Sequence, residues 1–135
     1  MAKHIQWLMV VALALILITV CFAEVMRGED PRSANKEALT ADLANLALRA
    51  QEYYCRPQSK GGGGGTFAGL TADFAGISKL TSKDRNANGV FWILTAGCAT
   101  SVELQAIGTQ LGTDGTFINI QMIVLPDSSS IRYNN

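Results

Sequence analysis

The chain has 135 residues, with eleven basic and eleven acidic side chains and a formal net charge of zero. That length holds one modest domain, and the balanced charge, with no basic patch, gives nucleic-acid binding no electrostatic footing. The single histidine is His4, so no imidazole from the bulk of the chain serves as a neutral-pH base or metal ligand.

Residues 5–23 read IQWLMVVALALILITVCFA, nineteen residues without a charge. As a helix this run spans roughly 28 Å, close to a bilayer's hydrocarbon thickness. Two readings are open. One is a retained single-pass anchor; the other is a signal peptide cleaved after Ala23, with small residues at Cys21 and Ala23. The run exceeds an ordinary signal-peptide core and carries no helix breaker, which favours retention. Val20 before Cys21 argues against a lipoprotein. Lys3 and His4 on the short side oppose Glu24, Glu29 and Asp30 on the long side. The N-terminus is therefore expected in the cytoplasm and the bulk of the chain outside it.

Residues 24–32 are charged and contain Gly28 and Pro31. Asp30-Pro31 has the form of an N-cap followed by proline at the first helical position. The first helix either ends near Gly28 or bends there and continues. The expected division is a membrane-spanning or assembly helix over 1–28 and an extracytoplasmic α+β domain over 29–135.

Over 33–54, Leu39, Leu43, Leu46, Ala50 and Tyr53 recur at helical spacing and form one apolar stripe. Lys36, Asp42, Arg49 and Glu52 lie largely off it. The abundant alanines suit a helix and permit close packing, either on the domain's own sheet or also against copies of the chain. Arg56-Pro57 stops the helix.

Five consecutive glycines, 61–65, follow. A phosphate-binding loop needs a lysine and a Ser/Thr after its glycines and a strand before them. Here Lys60 precedes the run, as does a helix, so the run reads as a flexible or tightly turning connection in which serine replacements are tolerated. Residues 71–82 form either a short helix or irregular cover.

The remainder is rich in strand signals. Asn88-Gly89 marks a turn. Strands are predicted over 90–95 (VFWILT), 101–111 and 116–125, with a short edge strand over 130–133. Phe117, Asn119 and Gln121 fall on one face of the third; Ile118, Ile120, Met122 and Val124 fall on the other. Short turns make the sheet an antiparallel meander. The elements together predict an α+β fold. A long N-terminal hydrophobic helix continues or kinks into an amphipathic helix, which packs on a small antiparallel sheet of three to four strands.

Cys21 lies in the apolar run. Cys55 and Cys98, 43 residues apart, both lie in the exported part, where a disulfide between them is expected. Such a bond is worth about 4 kcal/mol in the loop-entropy model, as an upper figure. Two free buried thiols are the alternative; metal or redox chemistry lacks a CxxC pair and a nearby histidine. Catalytic motifs are absent. Glu103 and Asp114 read as solvent-facing strand and turn carboxylates, Trp92 as a core residue and Trp7 as an interfacial aromatic. No enzyme, cofactor or metal is expected.

The order of parts resembles the type IV pilin-like family, including pseudopilins. So does the stretch Asp42-Leu43-Ala44-Asn45-Leu46-Ala47 through Ala50-Gln51-Glu52-Tyr53-Tyr54, followed by Arg56-Pro57, the glycine run and Phe67-Ala68-Gly69-Leu70. The glycine before the prepilin cleavage point and the glutamate at mature position five have no counterpart, since no acidic residue precedes Glu24. The resemblance implies a filament or pseudopilus subunit whose apolar helix lies first in the bilayer and then in the filament core. Trp7, Leu8, Val11, Ala12, Ala14, Leu15 and Ile18 are the assembly residues on that reading, with Ala12 and Ala14 as small packing surfaces. Implied partners are copies of the chain, membrane lipid and assembly machinery. The implied location is the inner membrane before assembly and the cell surface after. The alternatives are a monomeric membrane-anchored accessory module and a secreted binding protein released after Ala23.

Overall fold

Pro31 opens the first helix of the computed structural model, which describes Gly28 and residues 30–135. Proline suits that position, because its fixed φ is already helical and the first-turn N–H it lacks has no partner inside the helix. Gly28 and Asp30 are not helical. The expected fold class is corrected here. No helix among the described residues is long and apolar enough to cross a membrane, and α1, Pro31–Cys55, is the long helix they contain. The run over 5–23 lies outside the described residues. What the structure holds is an α+β unit, Pro31–Asn135, in which one 25-residue helix packs on a four-stranded antiparallel sheet.

The stripe read from spacing is the buried face of α1. Leu39, Leu43, Leu46, Ala50 and Tyr53 are all buried, joined by Ala47 and Asn35. They meet one face of the sheet formed by β1 (Gly89–Thr95), β2 (Val102–Leu111), β3 (Phe117–Val124) and β4 (Ser129–Tyr133), in the order β1-β2-β3-β4. Register places Phe91, Ala106 and Ile120 in one cross-strand row and Ile93, Leu104, Met122 and Ile131 in the next. Alternation then turns these residues to the helix and Trp92, Gln105, Gln121 and Arg132 to the opposite face. Trp92 is half-buried there, outside the core expected for it. Burial of each large aliphatic side chain contributes about 1.5–3 kcal/mol.

Asn35 is the one polar residue buried under the helix start. Its amide donates to the Asn88 carbonyl at 2.8 Å, and its Oδ1 accepts the N–H groups of Thr109 and Gln110 at 3.2 and 3.3 Å. These are the backbone groups that the irregularity between Ile107 and Leu111 frees from the β2–β3 ladder. One side chain thus replaces lost sheet bonds and fixes the helix on the sheet.

The segment between α1 and β1 closes the ends of the core. Phe67, Leu70, Ile77 and Leu80 are buried; Ile77 lies in α2, Phe74–Ile77, whose first turn is capped by Asp73 accepting from Gly76 N–H at 2.8 Å. Of the two forms of connection expected, the glycine run takes the tightly turning one. It folds back beneath the C-terminus of α1, where Gly63, Gly64 and Gly65 donate to the carbonyls of Tyr53, Arg56 and Tyr54 at 2.7, 2.9 and 2.8 Å. The last turn of a helix leaves such carbonyls unsatisfied, and this loop satisfies them. Gly61, Gly64 and Gly65 have positive φ, and a Cβ at Gly62 or Gly63 would meet the carbonyl of Arg56 or Thr66.

Candidate functional site

With one face of α1 buried, the opposite face is a surface the fold leaves uncovered. Glu37, Ala41, Ala44, Leu48, Glu52 and Cys55 recur along it at three- and four-residue spacing, and all are exposed. Leu48 is 59% exposed. Toward the helix start, Ser33, Lys36, Glu37, Thr40, Ala41, Ala44 and Tyr133 border a shallow, mostly apolar recess. Lys36 Nζ sits 4.3 Å from the centre of the Tyr133 ring, and the Tyr133 and Thr40 hydroxyls are 3.4 Å apart. β4 is thereby tied to the flank of α1.

Cys55 ends this face. Cys55 and Cys98 are both exposed and unbonded in the structure. The Cys98 thiol instead turns to its own loop, with its Sγ 3.2 Å from Ser101 Oγ and 3.9 Å from Thr100 Oγ1. The Ser101 hydroxyl and the neighbouring Thr100 and Ser101 backbone groups stabilise the thiolate and lower its pKa from 9.0 to about 7. The same loop is held in place by the Phe67 N–H, which donates to the Cys98 carbonyl at 3.0 Å.

The two carboxylates considered for catalysis are engaged in local structure. Glu103 accepts the Thr95 hydroxyl at 2.7 Å across β1 and β2. Asp114 accepts the backbone N–H and hydroxyl of Thr116 at 2.9 and 2.8 Å, with the Asn135 amide at 3.4 Å. The Thr116 N–H is the main reason its carboxyl is held below the ordinary range. The two lie at different ends of the sheet's strands, and no reacting pair is formed.

Trp7, Leu8, Val11, Ala12, Ala14, Leu15 and Ile18, the assembly residues implied by the resemblance, lie outside the described residues, as does Cys21. Sequence reasoning also missed a grouping. Asp42 and Arg49 on α1 line a groove with Lys83, Arg85 and Asn86 of the segment before β1. More than thirty residues separate the two sets in the chain, and each charge read alone belongs to a solvated face. No family model matches the chain, and neither a curated protein nor a solved structure matches it.

Proposed function

We propose that this chain is a structural subunit of a surface filament or secretion pseudopilus, acting by assembly and not by catalysis. The observation that carries the reading is the uncovered face of α1. A helix of seven turns gives one side to the sheet and leaves on the other a line of small and apolar residues, Ala41, Ala44 and Leu48. Such a line permits close approach of another helix. The apolar segment 5–23 precedes this helix in the sequence and adds a second surface that water does not favour. The pilin-like order of a helix, a loop and an antiparallel meander supports the same reading. On it, the subunit waits in the inner membrane with its N-terminus in the cytoplasm and is later packed at the cell surface among copies of itself.

The test is the fate of the full-length chain in its own cells. Sheared surface material is collected and imaged by electron microscopy, and the subunit is measured in the sheared and membrane fractions. The expected result is filaments labelled by antibody to the 31–135 domain. A subunit that stays wholly in the membrane under expressing conditions would be a monomeric anchored module. One found free in the medium, beginning at Glu24, would be a secreted binding protein. Either result overturns the filament reading.

A further inference from the structure

A groove lies between α1 and the segment leading into β1. Asp42, Asn45, Leu46 and Arg49 form one wall, with Thr81, Lys83, Arg85 and Asn86 opposite and Phe91 at the base; it encloses about 230 Å³. Leu46 and Phe91 are 6% and 4% exposed, so the base is firm and apolar. Three cations border this space.

Their partners decide what the groove is suited to. Arg49 Nη1 donates to the Leu80 carbonyl at 3.1 Å. That is its only hydrogen bond among the described residues; Arg49 is exposed, and its other N–H groups face solvent. Lys83 Nζ has no hydrogen bond or ion pair among the described residues. Arg85 is engaged, with Nε 3.4 Å from Asp84 Oδ1. The one acid of the lining, Asp42, is bound into the loop, its Oδ2 accepting the amides of Asn86 and Asn88 at 2.9 Å each. Asp42 forms no ion pair with Arg49 among the described residues. The lining therefore combines the cations Arg49, Lys83 and Arg85 with the amides of Asn45 and Asn86 and the apolar Leu46 and Phe91.

We propose that this groove binds a small ligand bearing a carboxylate or phosphate group, with Arg49 and Lys83 holding the anion. A guanidinium presents paired N–H donors that match either oxyanion, and an ammonium lining the same groove adds a point charge. Asn45 lines the same groove with an amide that accepts from or donates to hydroxyl groups, while the Asn86 side chain is engaged by Asp42, Asn88 and Gly89. The site is built from α1 and the segment before β1 of a single chain, and its argument does not rest on the filament reading.

The full-length chain in uncharged detergent is titrated with inorganic phosphate, with glucuronate and with glucose, and binding is followed by NMR at the Arg49, Lys83 and Asn45 resonances. Saturable shifts are expected with at least one of the two anions and not with glucose. Which anion binds identifies the oxyanion class. Arg49→Gln and Lys83→Gln should each weaken binding about tenfold or more, the loss of a charge-assisted contact. Lys60→Gln, which removes an exposed lysine outside the groove, should leave it unchanged. Folding of each variant is checked by its unperturbed core resonances, and Arg49→Lys serves as a second variant that keeps the charge but loses the fork. The proposal is overturned if neither anion gives a saturable shift, if glucose shifts the same resonances, or if Lys60→Gln weakens binding as much as Lys83→Gln.

Discussion

The carbonyl of Tyr53 accepts the N–H of Gly63 at 2.7 Å, which turns the glycine run into the C-terminal cap of α1. Tyr53 is buried, its hydroxyl is packed against Gly69, and the ammonium of Lys79 lies 5.9 Å from its ring centre. Its neighbour Tyr54 stacks on Phe67 at 4.8 Å between ring centroids. The loop that follows the helix is thus anchored both by its backbone and by the two tyrosines that end the helix.

The glycines of this cap should resist substitution. Gly63→Ala places a Cβ against the Thr66 carbonyl and 2.9 Å from the Tyr53 ring, and a loss of about 1–3 kcal/mol is expected from such overpacking. Gly115→Ala is the comparison, since that glycine has φ of 80° but open space around it. It should cost about 1–2 kcal/mol, the penalty of a left-handed backbone alone. Urea midpoints at unchanged slope give both values. Equal stability of Gly63→Ala and the parent would return the run to a mere connection.

The helix stripe, the four strands and their meander order are legible in the sequence because hydrophobic period and short turns dictate them. The faces of β3 fall as the alternation of Ile118, Ile120 and Met122 requires. The cap was not legible. Five glycines look alike whether their backbone is loose or committed, and the carbonyls they serve appear only once the chain folds back. The role of Asn35 was hidden for a similar reason, since its partners lie 53, 74 and 75 residues away. Trp92 was misplaced because a run of apolar residues in a strand does not say which of two faces meets the helix. The groove of Arg49 and Lys83 depends on the same long-range packing.

Asn35→Ala should destabilise the unit by about 1–3 kcal/mol. The substitution leaves the Asn88 carbonyl and the N–H groups of Thr109 and Gln110 without the partner that the fold supplies. Leu43→Ala, at a fully buried position on the same helix, should cost about 2–5 kcal/mol through lost burial and a cavity. Chemical denaturation followed by circular dichroism checks both. Hydrogen exchange adds a specific sign: in Asn35→Ala the amides of Thr109 and Gln110 should exchange faster, with those of Ile93 and Leu104 retaining their protection.

Cys55 and Cys98 should both alkylate without reductant, as free exposed thiols. Peptide-resolved mass spectrometry should place half-maximal reactivity of Cys98 with iodoacetamide near pH 7, where its pKa of about 7 gives equal thiol and thiolate. Ser101→Ala removes the largest stabilising contact and should move the profile to higher pH. Because folding lowers this pKa from 9.0, the unfolded chain binds more protons between about pH 7 and 9. The sign of linkage is then a gain in stability as pH rises through that window. A linked Cys55–Cys98 peptide under non-reducing conditions would refute the free-thiol state.

The uncovered face of α1 gives the last prediction. Ala44 is exposed and points away from the sheet, so Ala44→Arg should change the stability of the single chain by no more than about 0.5 kcal/mol. If that face packs against a neighbouring subunit, the same change forces a large charge into a close helix contact, where an unpaired buried charge is strongly unfavourable. The ratio of sheared to membrane-bound subunit should then fall by about tenfold or more, which corresponds to about 1.4 kcal/mol per interface. Thr113→Arg, on the exposed turn between β2 and β3, is the matched control and should assemble as the parent does. Leu48→Asp, one turn further along the same face, should reproduce the Ala44→Arg defect. If both α1 variants assemble normally while the parent forms filaments, subunit contact runs through another surface and the helix face has no part in assembly.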